Sequence, residues 1–349
     1  MAHFLQQLGV SLPLIQSPMA GLQDSALTIA VSDAGGLGSL PAAMLTPQAL
    51  QQELDLLSQR KQPYNLNFFC HQMPTYDTEQ QEVWQTVLAP YYKTYGITAT
   101  NQNPAAASAP FNAEMLNLLE HYKPPFLSFH FGLPEPALCQ QLKKWRTKII
   151  STATTIAEAL YLQERGVDAI IAQGLEAGGH RGHFLTDDLS VQMGTFALLP
   201  QIVKAVHCPV IAAGGISDAT GVAAALSLGA AAVQVGTAYL LCPEAKTTPL
   251  HRAAIKSSAA QHTALTNLFS GRPARAIMNK LMQELGPMNA KAPPFPLARA
   301  AITPLRAAAE QTGCSDFSPM WCGQNVSGCQ EISAFELTQQ LCKGVKTLK

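Results

Sequence analysis

The feature of this chain that most constrains its fold is a series of eight short apolar segments, most of them followed by a helical pattern. The segments are apolar almost throughout rather than alternating, which is typical of parallel strands buried on both faces. Parallel strands joined by right-handed crossovers eight times over close most readily into an α/β fold of the (β/α)8 TIM-barrel type. The strands are predicted at 14–19, 36–41, 64–69, 126–131, 148–153, 168–174, 208–215 and 231–237.

A doubly wound open sheet is the alternative architecture for such a pattern. It usually carries its glycine-rich phosphate loop after the first strand. Here the first strand ends in Pro18-Met19-Ala20-Gly21, and the denser glycine clusters follow the sixth, seventh and eighth strands. This distribution favours the barrel.

The barrel is predicted to occupy residues 1–240, with an insertion after the third strand over about 72–125. That insertion holds a helix near 78–95 and a low-complexity loop at 99–110. Residues 241–349 are predicted to form a helical segment that packs on the barrel and returns to its mouth, with 261–285 as its clearest helix. A separate C-terminal domain is the alternative. The predicted helix N-caps within the barrel include Asp24, Thr46 and Ser217.

Composition restricts the partners of the chain. The 349 residues include 23 basic and 23 acidic side chains, and no basic stripe suited to nucleic acid is present. We expect no membrane partner and a cytoplasmic location, because no apolar run is long enough to span a bilayer and no secretory signal begins the chain. The eight cysteines include no CxxC pair, so free thiols are expected rather than disulfides or a metal site.

Glycines cluster after the seventh and eighth predicted strands. Gly214 and Gly215 precede a helix, and Gly236 and Thr237 end the eighth strand. Backbone N–H groups freed of side chains, together with a helix N-terminus, favour an anion, and this pair of loops is the usual phosphate site of TIM barrels. A tight turn that needs only small residues is the alternative interpretation.

Residues 176–183 read EAGGHRGH and follow the sixth strand. A metal site is disfavoured because the glycines argue against a rigid helical pair of His180 and His183, and Glu176 is the only clear acid at that level. A phosphate contact or a catalytic histidine remains possible, since a neutral imidazole can exchange a proton near pH 7. Spacing alone does not separate the two histidines.

Eight ordered motifs together resemble the class I nitronate monooxygenases, formerly called 2-nitropropane dioxygenases. The resemblance covers most of the chain. The motifs are PLIQSPMAG (13–21), NLNFF (65–69), SFHFG (128–132), AQGLEAGGHRG (172–182), AAGGISD (212–218), AVQVGTAYL (232–240), SGRPAR (270–275) and WCGQ (321–324).

This resemblance implies a flavoprotein with noncovalent FMN that oxidises alkyl nitronates, such as propionate 3-nitronate, with O2. The expected products are a carbonyl compound and nitrite, formed through a flavosemiquinone. The partners would be the small molecules alone, and the protein would be a monomer or a homodimer.

The resemblance also implies roles for individual residues. His180, after the two glycines, would be the catalytic histidine, which leaves His183 as scaffold. His130 and Trp321 would line the substrate pocket. The residues expected to contact FMN are Pro18, Met19, Ala20, Gly21, Asn67, Gln173, Gly178, Gly179, Gly214, Gly215, Gln234, Val235, Gly236 and Thr237.

Two families related to the nitronate monooxygenases, the flavin-dependent enoyl-acyl-carrier reductases and the NADH:quinone reductases, share the barrel and the AGGH feature. An FMN-dependent NAD(P)H reductase acting on enoyl-acyl carriers or quinones is therefore the main alternative. A flavin-free barrel isomerase or a binding protein for a phosphorylated ligand is the alternative of another class.

Overall fold

The computed structural model describes residues 2–98 and 109–345. Eight of its strands form one parallel sheet in the order β1-β9-β8-β6-β5-β4-β3-β2, and a parallel bridge from Ile15 to Leu37 brings the two ends together. The predicted (β/α)8 barrel is therefore confirmed. The strands are β1 Leu14–Gln16, β2 Gly38–Pro41, β3 Tyr64–Phe69, β4 Phe126–His130, β5 Lys148–Ala153, β6 Ala169–Gln173, β7 Gly179–His180, β8 Val210–Ala213, β9 Ala232–Val235, β10 Thr263–Thr266 and β11 Ala274–Ile277.

Several predicted strands end earlier than expected. The first ends at Gln16 rather than residue 19, and the eighth ends at Val235 rather than residue 237. Proline and glycine follow these ends, and neither residue type favours continuation of a central strand. The residues beyond the ends become loops at the C-terminal face of the barrel.

Thirteen α-helices occur in the described residues, and most barrel helices begin where their capping residues predict. The Asp24 carboxylate accepts from the N–H of Ala26 at 2.9 Å, and the Thr46 hydroxyl accepts from the N–H of Ala49 at 3.2 Å. The helices are α1 Ala2–Leu8, α2 Ser25–Asp33, α3 Pro47–Ser58, α4 Thr78–Thr94, α5 Ala113–Leu119, α6 Pro136–Lys144, α7 Ile156–Glu164, α8 Thr195–Ala205, α9 Ala219–Ser227, α10 Pro249–Ile255, α11 Lys280–Leu285, α12 Arg299–Gln311 and α13 Ala334–Leu341.

The predicted N-cap at Ser217 is wrong. Helix α9 begins at Ala219, and Asp218, directly before it, accepts from the N–H of Gly221 at 2.7 Å. Ser217 lies one residue too early to reach that N–H, and its hydroxyl lies 3.3 Å from that of Ser327.

The half of the barrel interior nearest the N-terminal ends of the strands is apolar and closed. Inward-facing residues of the strands, among them Ile15, Ile150 and Ile211, pack against Phe4 and Leu5 of α1. Helix α1 thus covers the N-terminal mouth of the barrel. The C-terminal mouth is left as the place where a ligand can enter.

The predicted insertion at 72–125 consists of two parts that pack differently. Helix α4 contributes Trp84 and Leu88 to a second core that it shares with Leu281 and Ile302 of the C-terminal segment. Helix α5 belongs to the main barrel core, where Leu119 is fully buried, and it connects β3 to β4. Most of the predicted loop at 99–110 lies outside the described residues.

The prediction of a continuous helix over 261–285 is wrong. The segment forms the antiparallel strands β10 and β11, and only its last part is helical, as α11. The pattern contains Ser270-Gly271-Arg272-Pro273, which breaks a helix and supplies a turn between two strands. Strand β11 also pairs with β7, so that a three-stranded sheet lies beside the barrel mouth.

All eight cysteines are free thiols, and Cys242, Cys322 and Cys342 are buried. None of the helices formed by residues 2–98 and 109–345 is both long and apolar enough to cross a membrane.

Candidate active site

A cavity of about 360 Å³ opens at the C-terminal face of the barrel. Every residue predicted from the sequence to form the site lines this cavity, with one exception. The lining therefore brings together Pro18, Met19, Ala20, Gly21, Asn67, His130, Gln173, Gly178, Gly179, His180, Gly214, Gly215, Gln234, Gly236, Thr237 and Trp321.

Val235 is the exception. Its side chain is buried in the core between the sheet and the helices, and its carbonyl accepts from the N–H of Ser17. Successive side chains of a strand point to opposite faces, so Gln234 and Val235 cannot both face the cavity. The Val235 side chain therefore does not face the cavity, and the expected contact of this residue with FMN stays a prediction.

The glycines after β8 make room for a close approach of the backbone. Gly214 and Gly215 have φ values of +114° and +73°, which side-chain-bearing residues rarely adopt. A Cβ atom on Gly178 would lie 2.5 Å from the backbone nitrogen of Gly323. At these three positions, which we call the glycine wall, the space that a side chain would need is already filled by neighbouring protein atoms, so backbone rather than side chains lines the cavity. Backbone N–H groups in such a lining can bind an anion.

The loop at 321–325 returns from the C-terminal segment to close this wall. The N–H of Gly323 donates to the Thr237 hydroxyl at 2.9 Å, and the Asn325 amide donates to the carbonyl of Gly215 at 2.9 Å. The Thr237 hydroxyl thus accepts one bond and keeps its own proton for a ligand. The amide oxygen of Gln234 is buried and has no hydrogen-bond partner among the described residues, so a ligand in the cavity could supply one.

Glu176 holds the loop in place at the start of α8. Its carboxylate accepts from the N–H of Thr195 at 2.8 Å and from the hydroxyl of the same residue at 2.9 Å. A carboxylate at a helix N-terminus satisfies free N–H groups and interacts favourably with the helix dipole. Glu176 therefore orders the backbone of the site.

The backbone of His180 is held from both the barrel and the outer sheet. Strand β7 pairs with β11, with His180 opposite Ala274. The carbonyl of His180 accepts from the Gln173 amide at 3.0 Å, and the Gln173 amide oxygen accepts from the N–H of Gly182 at 2.8 Å. Both ends of the Gln173 side chain are thus used to position the segment that carries His180.

His130 supports the same carbonyl, and its tautomer follows from its partners. Nε2 lies 3.1 Å from the carbonyl oxygen of His180, which can only accept, so Nε2 carries the proton. Nδ1 then accepts from the Thr152 hydroxyl at 3.1 Å. Burial lowers the pKa of His130 from 6.5 to about 3, which keeps the ring neutral.

The imidazole of His180 faces the cavity between aromatic rings. Its ring centroid lies 5.4 Å from that of Phe295 and 5.3 Å from that of Trp321, and its Nε2 lies 2.9 Å from the Ser270 hydroxyl. Burial, followed by the unfavourable proximity of a second imidazole at His130 and of the charged Arg272, lowers the pKa of His180 from 6.5 to about 3. The ring is therefore a neutral proton acceptor at physiological pH.

The guanidinium groups of Arg181, which is buried, and of Arg272, which is partly buried, form no ion pair in the described part of the chain. Arg181 is fully buried and donates to the carbonyls of Gly174 at 2.6 Å and Gln173 at 2.8 Å. Arg272 donates to the carbonyl of His183, and its guanidinium carbon lies 4.3 Å from the ring centroid of Phe131. Buried positive charge of this kind favours an anion in the adjoining cavity.

His183 lies outside the cavity lining. Its side chain is 1 % exposed, and Nε2 lies 3.5 Å from the Asp187 carboxylate. Burial, together with the charge of Arg272, lowers its pKa from 6.5 to about 4. The structure thus separates the two histidines that spacing alone left equivalent.

Sequence reasoning missed the functional contributions of Ser270, Phe295 and Arg299, which also line the cavity. All three come from the segment beyond the barrel. The motif SGRPAR contains Ser270, but nothing in the local pattern indicates that it meets a histidine 90 residues away. Within residues 2–98 and 109–345, no group of three or more His, Cys, Asp or Glu side chains is placed to hold a metal ion.

Fold and site together define a TIM-barrel enzyme whose site lies at the C-terminal ends of the strands. More particularly, the chain belongs to the nitronate monooxygenase family, since the model of that family, described as nitronate monooxygenase, matches residues 3–344. It is 39 % identical over 350 residues to a nitronate monooxygenase of Paraburkholderia phytofirmans, with 98 % of this chain and 94 % of the relative covered. The protein is thus an oxidoreductase, and the family supports nitronate oxidation as its chemistry.

Solved structures agree with this assignment. Nitroalkane oxidase from Streptomyces ansochromogenes superimposes with a TM-score of 0.88 at 35 % identity, with 97 % of this chain and 96 % of that chain covered. FabK from Thermotoga maritima superimposes with a TM-score of 0.69 at 24 % identity, covering 98 % of this chain and 94 % of that one. The second likeness shows the shared fold alone.

Proposed function

We propose that this protein is an FMN-dependent nitronate monooxygenase that oxidises alkyl nitronates, such as propionate 3-nitronate, with O2 to a carbonyl compound and nitrite. The observation that carries the proposal is a neutral, buried His180 facing a glycine-lined cavity in a chain of this family. The proposed partners are the small-molecule substrates, and the proposed location is the cytoplasm, with the chain as a monomer or homodimer.

The residues present fit a noncovalent flavin mononucleotide. The glycine wall brings backbone to the cavity. Among the residues that the structure describes, the buried amide oxygen of Gln234 has no partner, and a flavin N–H could supply one. FMN when bound would supply the redox chemistry. Its phosphate would be held by Gly214, Gly215, Gly236 and Thr237, and its ring by Asn67, Gln234 and the segment 18–21.

His180 would act on the substrate as a neutral imidazole. It can take the proton from the carbon next to the nitro group of a neutral nitroalkane, or hold an already deprotonated nitronate by a hydrogen bond. Ser270 fixes the ring through Nε2. Phe295 and Trp321 exclude water from the neighbouring space, and the buried charges of Arg181 and Arg272 favour an anionic substrate over a neutral one.

An oxygen-electrode assay of FMN-reconstituted protein tests the proposal. Propionate 3-nitronate is expected to consume O2 and release nitrite without NADH, and the protein is expected to retain a flavin absorbance after gel filtration. Protein that stays colourless after reconstitution would contradict the cofactor assignment. Flavin reduction that depends on NADH, with no oxygen uptake on nitronate alone, would indicate a reductase on the same barrel.

A further inference from the structure

The cavity extends beyond His180 along one face of α12. Five residues of this helix line it at intervals that place them on the same side, and all belong to the segment outside the barrel. They are Arg299, Ile302, Thr303, Arg306 and Glu310. The space beside this face is available to the part of a substrate that does not react.

Four charged side chains line the cavity, and the charged groups of three of them form hydrogen bonds with other residues of the protein. Glu176 is bound by Thr195. Arg306 donates to Glu310 at 2.7 Å, and Glu310 also accepts from the Ser318 hydroxyl at 2.7 Å. Arg299 forms no ion pair with any residue in 2–98 or 109–345.

The stability of α12 does not account for an arginine at this position. Arg299 is the first residue of the helix, where a positive charge is unfavourable toward the helix dipole, and Ala298 before it provides no side-chain cap. Its guanidinium is solvent-accessible and lies 4.0 Å from the Met44 thioether. A thioether is uncharged, so this contact does not neutralise the positive charge of Arg299.

Arg299 and His180 line the same cavity. Phe295, whose ring centroid lies 5.4 Å from that of His180, also lines it and comes four residues before Arg299 in the chain. A substrate bound in this cavity can therefore meet both the imidazole and the guanidinium.

We infer that Arg299 binds a second anionic group, a carboxylate, at the far end of a short nitronate whose reacting end meets His180. This inference rests on the proposed function and makes it more specific. A guanidinium can accept a carboxylate through two parallel hydrogen bonds, and such charge-assisted bonds are stronger than neutral ones. Arg299 is thus a specificity-determining residue that distinguishes carboxylated from simple alkyl nitronates.

A pair of substrates isolates the effect. Propionate 3-nitronate and propyl 1-nitronate have three carbons each and differ at the far end, which is a carboxylate in one and a methyl group in the other. With Arg299→Met we expect KM for the carboxylated substrate to rise about 10-fold, while kcat for both substrates and KM for propyl 1-nitronate change less than about twofold. Arg299→Lys, which keeps the charge, is expected to recover part of the lost affinity.

Arg60→Met is the matched control, because Arg60 is exposed and follows α3 on the opposite face of the barrel. Equal losses on both substrates in Arg299→Met, or no loss on either, would overturn the inference. The dissociation constant of 3-nitropropanoate, measured without O2 by flavin fluorescence, gives a second readout and is expected to rise about 10-fold in the same variant.

Wild-type protein that oxidises neither nitronate would overturn the proposed function. The binding titration would then decide the role of Arg299 separately. Wild-type turnover of both substrates with unchanged binding in Arg299→Met would overturn only the carboxylate site.

Discussion

At the scale of single residues, His180 is distinguished by its surroundings rather than by its type. His130 and Gln173 both bond its carbonyl, Ser270 bonds its ring, and burial, with the nearby charge of Arg272, keeps it neutral. His183, three residues later, is buried outside the cavity. The same residue type thus has two roles because the backbone between them turns out of the cavity.

Replacing His180 by Asn is expected to leave FMN bound and to reduce turnover of neutral nitroalkanes by about 10²- to 10⁴-fold, the usual contribution of a positioned general base. The loss with preformed nitronate should be smaller, since no proton needs to be removed. Steady-state oxygen uptake with nitroethane and with ethyl nitronate measures both.

His262→Asn is the control for that substitution, because His262 is exposed and does not line the cavity. Equal rates for wild type and His180→Asn on both substrates would remove His180 from the reaction.

Ser270→Ala removes the hydrogen bond to Nε2 of His180 and leaves the glycine wall, which is proposed to hold FMN, unchanged. We expect kcat with neutral nitroalkanes to fall by about 10-fold, because a freed ring samples unproductive orientations. The FMN dissociation constant should remain unchanged, and Ser270→Thr, which keeps the hydroxyl, should recover part of the rate. A Ser270→Ala variant with unchanged kcat would show that ring orientation does not depend on this contact.

At the scale of elements, the hairpin β10–β11 and the turn between its strands complete the site. Strand β11 pairs with β7 and so fixes His180, while the turn supplies Ser270 and Arg272. Two carboxylates hold the loop between β7 and α8. Glu158 accepts from the backbone N–H of Phe184 near its start, and Glu176 accepts from the backbone N–H of Thr195 at its end. The reactive residue therefore depends on elements from outside the barrel.

Gly271 and Gly313 provide a matched test of that turn. Both have positive φ, at +88° and +74°, but a Cβ on Gly271 would overlap the carbonyl oxygen of Pro293, whereas a Cβ on Gly313 meets nothing within 4 Å. Gly313→Ala should cost about 1 kcal/mol in free energy of unfolding, from backbone strain alone.

Gly271→Ala should cost more than about 3 kcal/mol, because the segment carrying Phe295 must also move. It should lower kcat as well, and the Gly313 variant should not. Urea denaturation and oxygen uptake check both, and equal costs at the two positions would contradict the close packing of the turn.

At the scale of the whole molecule, the burial of neutral histidines makes stability depend on pH. Burial lowers the pKa values of His183 and His251 from 6.5 to about 4. Between these values the unfolded chain binds protons that the folded protein does not, so stability falls as pH falls from about 6.5 toward 4.

Each of these two groups should contribute a slope of about 1 kcal/mol per pH unit between pH 6 and 4.5. Urea unfolding without added FMN across this range measures the total. His251→Gln should reduce the slope by about 1 kcal/mol per pH unit, and His262→Gln, at an exposed position, should not change it. An unchanged slope in His251→Gln would contradict the neutral, buried state of that histidine.

Much of the barrel was predictable because the signals that specify it are local. Continuous apolar runs, N-caps at Asp24 and Thr46, and glycines at strand ends act over a few residues. The alternation of the eighth strand also indicates that the side chains of Gln234 and Val235 face opposite ways. The helix predicted over 261–285 failed because its apolar residues suit either structure, and pairing with β7 decided in favour of strands.

The sequence by itself determined the barrel, the glycine-rich strand ends and the loop that carries the two histidines, because each depends on backbone preferences and periodicity within a short stretch of chain. Only the tertiary structure decided that His180 faces the cavity, that Ser270 meets its ring and that Arg299 has no acidic partner among the described residues. The hydrogen bonds from Ser270 to His180 and from Gly323 to Thr237 each join residues about 90 positions apart in the chain. They form only when the C-terminal segment folds back over the barrel mouth.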